Sequence, residues 1–228
     1  LVLVTGHLER LAGGAAQIGA MSADAFGDKV AIVASTPGSP GDLYLVDVLQ
    51  RTQHQLTEYN KEYLHEHPPA LLEKHIFSRS GMEIESRLWF PHDFDAVECY
   101  PLVVEVHGGP HGAFYDAFNS IHQVLASAGY LVLCVNPRGS STYGAEFVKA
   151  VQCDWGGEDY LDIMAVVDEI CERPYVDSSR LGIHGYSYGG FMTSWTIGHT
   201  TRFGAAVIGA PVTDLCSMSG TSDIGISF

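Results

Sequence analysis

From residue 76 onwards the chain alternates short apolar runs with stretches whose apolar spacing suits helices. The runs P-L-V-V-E-V-H, Y-L-V-L-C-V-N, L-G-I-H-G and A-A-V-I-G-A are rich in branched residues, as is typical of strands that are buried on both faces. Helices between such strands form crossovers that set the strands parallel. The sequence therefore predicts an α/β fold, with a mostly parallel sheet and helices on both of its faces.

The stretch from Glu158 to Cys171 predicts one of these helices. Its apolar residues recur at helical spacing, whereas Asp162, Asp168 and Glu169 fall largely away from them. We therefore expect a surface helix packed on the sheet, with these three acids off its buried face.

The first 60 residues follow a different pattern. The runs L-V-L-V, K-V-A-I-V-A-S and D-L-Y-L-V-D-V are bounded by turn residues such as T-P-G-S-P-G-D, which predicts antiparallel hairpins. Their spacing is that of one four-stranded propeller blade, although a small independent β-domain is the alternative. Because a blade needs neighbours to bury both of its faces, this pattern indicates a piece of a longer protein.

A charged segment with a Pro pair separates the two patterns. We place a linker at residues 61–75, between a β region at 1–60 and an α/β region at 76–228.

Composition narrows the classes of partner and the compartment. Lys and Arg number 12 against 27 Asp and Glu, for a formal net charge of −15, and such a surface repels nucleic acid and anionic lipid. No apolar stretch reaches the roughly 20 residues of a membrane span, so we expect no membrane partner. Five cysteines without C-x-x-C spacing suit free thiols of a reducing compartment, which favours the cytoplasm.

The motif G-Y-S-Y-G-G at residues 185–190 is the candidate catalytic feature. Ser187 stands between an apolar strand and the helix-compatible stretch F-M-T-S-W-T-I-G-H. At such a junction G-x-S-x-G is a nucleophile elbow, in which a sharp turn exposes the serine and glycines remove the side chains that would clash. A Gly-rich turn whose serine caps the helix is the alternative, but it leaves the second tyrosine and the third glycine unexplained.

A second motif, V-V-E-V-H-G-G-P-H at residues 103–111, follows an early core strand. The backbone N–H groups of two consecutive glycines are unobstructed and can stabilise the negative oxygen of an attacked carbonyl. In this architecture one N–H comes from the residue after the nucleophile, here Tyr188. We assign the other to Gly108, with Gly109 as the fallback.

Three polar side chains near these motifs are expected to have structural roles. His107 should hold its loop through hydrogen bonds and His111 should line the cleft, because neither has a partner carboxylate or a third ligand at metal spacing. Arg138 should tie a cleft loop through its fork of donors. We therefore predict no metal, no nucleotide or flavin, and no other cofactor.

Five motifs in chain order carry a family resemblance: H-G-G-P-H (107–111), N-P-R-G-S-S-T-Y-G (136–144), D-W-G-G-E-D-Y-L-D (154–162), G-Y-S-Y-G-G-F-M-T (185–193) and G-A-P-V-T-D (209–214). Together they resemble the catalytic domain of the prolyl oligopeptidase family of serine peptidases, in its acylaminoacyl peptidase and dipeptidyl-peptidase-like branch. The resemblance covers residues 76–228. It implies an α/β-hydrolase fold preceded by the last strands of a β-propeller at residues 1–60, and hydrolysis of short peptides through a serine acyl-enzyme.

The same resemblance implies an apolar substrate pocket at Val212 and Leu215, flanked by Tyr188. The alternative is that these are ordinary core residues below the edge of the sheet.

The family's catalytic triad needs an Asp and a His after the nucleophile. The one histidine after Ser187 is His199, about 18 Å along a helix axis, which is too far to reach the hydroxyl. Asp214 follows a predicted strand but has no histidine to orient. We therefore expect the triad's acid and base outside this chain, which would be inactive alone and would need the rest of the polypeptide as a partner.

Two rival functions fit the same residues. One is a carboxylesterase or thioesterase of the same fold, and the other is a catalytically inactive binding member that has lost its triad. A homo-oligomer also remains open.

Overall fold

The computed structural model describes residues 10–12 and 14–223, which form two compact units. The first unit contains the described residues up to Pro69 together with Tyr115–Ser120, and the second contains Ala70–Phe114 and the residues from Ile121 onwards. The predicted run L-V-L-V at residues 1–4 lies outside the described residues. None of the helices in the described ranges is long and apolar enough to cross a membrane.

The first unit is a four-stranded antiparallel sheet whose strands pair in chain order. Its elements are β1 (Gln17–Ala23), β2 (Lys29–Thr36), β3 (Ser39–Asp47), β4 (Thr52–Gln55) and a short helix, α1 (Lys61–Glu66). Its buried apolar core is small and consists of Ile32, Ala34 and Val46. The antiparallel pairing matches the predicted hairpins. The place of this sheet in a propeller remains a prediction.

The predicted linker at residues 61–75 is more structured than its composition suggested. Helix α1 begins at Lys61, and the next strand already begins at Leu72. The charged residues and the Pro pair indicated a break between units. They did not indicate that a helix precedes this break and that a strand begins soon after it.

The second unit is a six-stranded sheet with helices. Its strands are β5 (Leu72–Arg79), β6 (Met82–Trp89), β7 (Tyr100–Val106), β8 (Leu131–Asn136), β9 (Val176–Tyr186) and β10 (Phe203–Gly209). Its helices are α2 (Ser120–Ser127), α3 (Ala145–Lys149), α4 (Glu158–Cys171), α5 (Tyr188–His199) and α6 (Leu215–Thr221). Helix α4 has the bounds that the sequence predicts.

The strand order in the second unit is β10-β9-β7-β8-β6-β5. The pairs β10 with β9, β9 with β7 and β7 with β8 are parallel. The hairpin β5–β6 and its pairing with β8 are antiparallel. The sheet is therefore mostly parallel, as the sequence predicts.

Alternating side chains on the central strands fill two cores. On one face, Leu133 and Ile183 pack with Ile163 and Val167 of α4. On the other face, Cys134 belongs to a smaller cluster with Trp89, Val132 and Ala126 of α2. Strands that are buried on both faces explain the continuous apolar runs of the sequence.

Asp162 is a correction to the predicted outer face of α4, because its side chain is fully buried. Arg138 donates from Nε and Nη2 to its two carboxylate oxygens, at 2.8 Å each, and the Arg138 N–H donates at 3.0 Å. Nη1 of Arg79 donates to the same carboxylate at 2.9 Å. This fork confirms the structural role predicted for Arg138, since it ties the loop after β8 to α4.

We expect Asp162→Asn to lower the free energy of unfolding of the intact protein by about 3–5 kcal/mol, because it leaves two cations without their shared buried anion. Asp168→Asn on the same helix is the matched control, because Asp168 is largely exposed where it pairs with Arg202, and it should cost less than about 1 kcal/mol. Urea unfolding measures both values. Equal costs for the two variants would contradict a role of Asp162 as the anchor of this loop.

Candidate active site

Ser187 occupies the turn between β9 and α5, with a φ of +61° and a ψ of −120°. A positive φ is costly for a residue with a Cβ and persists only where the surroundings impose it. Here the Ser187 N–H donates to the carbonyl of Gly209 at 3.0 Å, and its own carbonyl accepts from the Phe191 N–H at 3.0 Å. The turn therefore has the sharp strand-to-helix geometry that the motif predicts.

The backbone of α5 lies directly against the ends of the two strands that flank β9. A Cβ at Gly189 would lie 2.1 Å from the carbonyl oxygen of Val106, at the end of β7. A Cβ at Gly190 would lie 2.4 Å from the carbonyl oxygen of Gly209, at the end of β10. The helix can begin here only because both residues lack side chains.

We expect Gly189→Ala to destabilise the intact protein by about 1–3 kcal/mol or more, because the added methyl group must displace the backbone of β7. The matched control is Gly198→Ala on the same helix, where an added Cβ meets nothing within 4 Å. That variant should raise stability by up to about 1 kcal/mol, since alanine favours helix. Thermal unfolding would contradict the close contact if both variants shifted the midpoint in the same direction.

The glycine loop after β7 lies next to the elbow because of the register of β7 and β9, in which Val106 pairs with Gly185. Gly108 follows Val106 by two residues, and Ser187 follows Gly185 by two residues. A Cβ at Gly108 would lie 3.7 Å from the Cβ of Ser187. Gly109 is exposed and has a φ of +132°, a conformation that suits glycine. The structure thus brings the predicted loop to the predicted nucleophile.

Tyr188 contributes a backbone N–H at the same place. It is the first residue of α5, and the first N–H groups of a helix have no acceptor within it. The Tyr188 N–H and the Gly108 N–H are therefore placed on the two chain segments that meet at Ser187. Their assignment as the oxyanion hole remains a prediction, with Gly109 as the fallback.

Hydrogen bonds hold the glycine loop as the sequence predicts. His107 is buried, and its Nδ1 lies 2.8 Å from the carbonyl oxygen of Gly108 while its Nε2 lies 2.9 Å from Oγ of Ser140. Burial lowers the pKa of His107, which favours the neutral ring. A neutral ring with its proton on Nδ1 donates to Gly108, and Nε2 then shares the one hydroxyl proton of Ser140 with the carbonyl of Pro137, which lies 2.7 Å from the same Oγ. The exposed His111 bonds the carbonyl of Gly139 through Nδ1 at 2.9 Å.

The side chain of Tyr188 lies in the core, and its expected place beside a substrate pocket remains a prediction. It is 1% exposed, its hydroxyl donates to a carboxylate oxygen of Asp159, and its ring lies 5.0 Å from that of Trp155. Burial, together with the Asp159 carboxylate, raises the pKa of Tyr188 well above its usual range. Tyr186 is the tyrosine of the elbow that is exposed, at 69%.

Asp159 is a structural residue of the site that sequence reasoning did not assign. Its side chain is completely buried in the first turn of α4, and burial raises its pKa while the hydrogen bond from Tyr188 opposes that rise. The motif D-W-G-G-E-D-Y-L-D contained it, but its spacing gave no sign of a tyrosine partner 29 residues later.

The two residues expected to form an apolar pocket lie around the start of α6. Val212 is half-buried, and Leu215 is 46% exposed. Leu215 lines a depression of about 560 Å³ together with Phe191 and Trp195 of α5. The surroundings of Leu215 are therefore apolar, whereas a substrate-binding role for either residue remains a prediction.

His199 and Asp214 are engaged at the ends of helices. His199 ends α5, and its Nδ1 lies 2.7 Å from the carbonyl oxygen of Trp195. Asp214 caps α6 by accepting from the Ser217 N–H at 3.1 Å, and its hydrogen bonds with Ser217 lower its pKa. Both side chains are engaged at the ends of their own helices, and the expectation that neither activates Ser187 remains a prediction.

The sequence of this chain is similar to a known protein family and to individual proteins. Residues 116–228 match the model of the prolyl oligopeptidase family. The chain is 42% identical over 194 residues to the uncharacterized peptidase YuxL of Bacillus subtilis, which covers 84% of this chain and 29% of that protein. It is 31% identical over 188 residues to dipeptidyl-peptidase 5 of Porphyromonas gingivalis, which covers 81% of this chain and 28% of that protein.

A solved structure gives the same result for the fold. It is an acylaminoacyl peptidase in complex with Z-Gly-Gly-Phe-chloromethyl ketone, with a TM-score of 0.91 and 31% identity. The match covers 97% of this chain and 35% of that chain. The present chain thus spans about a third or less of each of these proteins.

Proposed function

The chain belongs to the prolyl oligopeptidase family, and from that premise we propose that it carries the nucleophile of a serine peptidase that hydrolyses short peptides. The observation that carries this proposal is the conformation of Ser187, which is held at a φ of +61° between β9 and α5 with the Gly108 backbone beside it. Its α/β-hydrolase fold places such an elbow at the carboxyl ends of the parallel strands. A strained, preorganised serine at that position has a chemical use and no evident structural one.

In the proposed reaction, Oγ of Ser187 attacks the carbonyl carbon of the scissile bond as its proton passes to a base. The developing negative oxygen accepts hydrogen bonds from the N–H groups of Tyr188 and Gly108. Collapse of this intermediate expels the amine and leaves an acyl-enzyme, which water then hydrolyses. We assign the base and its orienting acid to parts of the intact protein outside this chain, since His199 and Asp214 are engaged elsewhere.

The names of similar proteins support the substrate class. One relative is a dipeptidyl-peptidase, and the similar structure is an acylaminoacyl peptidase bound to a short peptide derivative. Both names refer to removal of a short unit from the end of a peptide. We propose the same class of substrate here, without choosing between a free and an acylated end.

We also propose that the first unit is the last blade of a β-propeller. Four antiparallel strands that pair in chain order are the architecture of one blade. Its small core of Ile32, Ala34 and Val46 suits a sheet that is stabilised by neighbouring blades. A propeller before the hydrolase domain would admit only short peptides to the active site.

We expect Ser187→Ala to lower kcat/KM of the intact protein by about 10⁴-fold or more, because no other group can form the acyl-enzyme. Ser127→Ala on α2 is the control, since the Ser127 hydroxyl is bonded to the carbonyl of Gln123 at 2.8 Å and lies outside the depression that Leu215 lines. It should leave turnover close to that of the unchanged protein.

The assay uses an acyl-amino-acid anilide and a simple acyl ester in parallel. We expect turnover of the anilide by the unchanged protein and its loss in Ser187→Ala. Turnover of the ester alone would support the carboxylesterase or thioesterase alternative, and no turnover of either would support an inactive binding member.

We expect Tyr188→Phe to separate the backbone role of this residue from that of its side chain. Loss of the hydroxyl leaves the buried Asp159 without its donor, so stability should fall by about 1–3 kcal/mol. The N–H is unchanged, and kcat at a temperature where the variant remains folded should stay within about threefold, far from the 10²–10³-fold loss of an oxyanion donor. A loss of that larger size in kcat would show that the hydroxyl takes part in catalysis.

A further inference from the structure

Four side chains with metal-binding atoms lie close to one another between the sheet and α2, and three of them converge. They are Glu105 of β7, His122 of α2, Cys134 of β8 and His184 of β9. Among the described residues, the carboxylate, imidazole and thiol atoms of the first three lie within 4.8 Å of one another. This cluster is separate from Ser187 and from the glycine loop, and the proposed reaction does not use it.

Three of the ligand atoms lie around a common centre, and the fourth lies beside one of them. Nε2 of His122 lies 2.7 Å from Oε2 of Glu105 and 3.3 Å from Sγ of Cys134. Nε2 of His184 lies 3.6 Å from the same Oε2. Ligands of a tetrahedral zinc ion lie roughly 3.3–3.7 Å apart, given bonds of about 2.0–2.3 Å. The 3.3 Å distance fits, and a modest opening of the 2.7 Å contact would fit as well. The ring of His184 lies outside the group of atoms within 4.8 Å of one another, so it must turn towards Sγ of Cys134 to bind the same ion.

The burial of the cluster suits a bound ion. His122 and Cys134 are buried, whereas the side chains of Glu105 and His184 are 14% and 20% exposed. Nε2 of His184 is itself buried and has no hydrogen-bond partner among the described residues. A buried nitrogen of this kind costs free energy unless it gains a partner.

One member of the cluster borders an open groove. His184 lies in the wall of a groove of about 660 Å³, with Leu125 of α2 and Val103 of β7 also lining it. The side chains of Glu105 and His184 are partly exposed, whereas Cys134 is fully buried at the other side of the cluster.

The chemistry of the donors selects the class of ion. A thiolate and two imidazoles favour a borderline ion such as Zn²⁺ over Ca²⁺ or Mg²⁺, which prefer oxygen ligands. One thiolate and one carboxylate neutralise the two charges of the ion. Cysteine binds zinc as the thiolate, so binding of the ion releases the proton of the Cys134 thiol.

We propose that Glu105, His122, Cys134 and His184 bind one Zn²⁺ ion. The ion joins α2 to β7, β8 and β9, and these include the two strands that lead to Gly108 and Ser187. Its role is to fasten the strands behind the candidate active site. The ion has no contact with Ser187 and is not part of the reaction.

The test uses the intact protein after dialysis against a chelator. Zn²⁺ is titrated in competition with a chromogenic chelator, and Co²⁺ is used as a spectroscopic probe of thiolate binding. We expect a Co²⁺–thiolate charge-transfer band and a rise in melting temperature with Zn²⁺. Absence of that band from the unchanged protein would overturn the proposal.

Variants assign the binding to these residues. Cys134→Ser should abolish the charge-transfer band, and His184→Asn should weaken Zn²⁺ binding by at least about tenfold. Cys216→Ser is the matched control, because Cys216 is an exposed free thiol, and it should retain the band and the affinity. If Cys134→Ser fails to fold, His184→Asn decides alone, since unchanged affinity in that variant would contradict the site.

The failure of this proposal is distinguishable from failure of the proposed function. Zinc binding is read from spectra, affinity and melting temperature, none of which depends on turnover. A protein with an active Ser187 and no zinc site, or the reverse, would separate the two.

Discussion

The contact between Gly189 and the carbonyl of Val106 fixes the centre of the second unit. It lets α5 begin directly against the end of β7, which leaves Ser187 in its strained turn. The register of β7 and β9 then decides what stands beside the serine. Because Val106 pairs with Gly185, the residues two positions further along the two segments, Gly108 and Ser187, come together. Backbone packing and strand register therefore bring the nucleophile and the glycine loop together.

The same register has a second consequence one position earlier. Glu105 pairs with His184, and alternation along the strands turns both side chains away from the core that contains Val106. Glu105 also pairs with Cys134 of β8, and His122 of the covering helix contacts both Glu105 and Cys134. The strand ends that carry the candidate active site therefore also carry the proposed zinc site, which explains why an ion there would stiffen them.

Much of this arrangement could be predicted from the sequence, because local patterns encode it. Continuous apolar runs predicted the parallel strands, and G-Y-S-Y-G-G predicted the elbow. The buried role of Asp162 could not be predicted, because its partners Arg79 and Arg138 are distant in sequence. The inward position of the Tyr188 side chain depends likewise on Asp159. The sequence predicted no metal site, because its four donors stand on four elements with no common spacing.

The assignment of Ser187 as the nucleophile is tested most directly by treating the intact protein with a fluorophosphonate and locating the adduct by peptide mass spectrometry. We expect one adduct on the peptide that contains Ser187, and none in Ser187→Ala. An intact, folded protein that forms no adduct at Ser187, or forms it at another serine, would show that Ser187 is not the nucleophile.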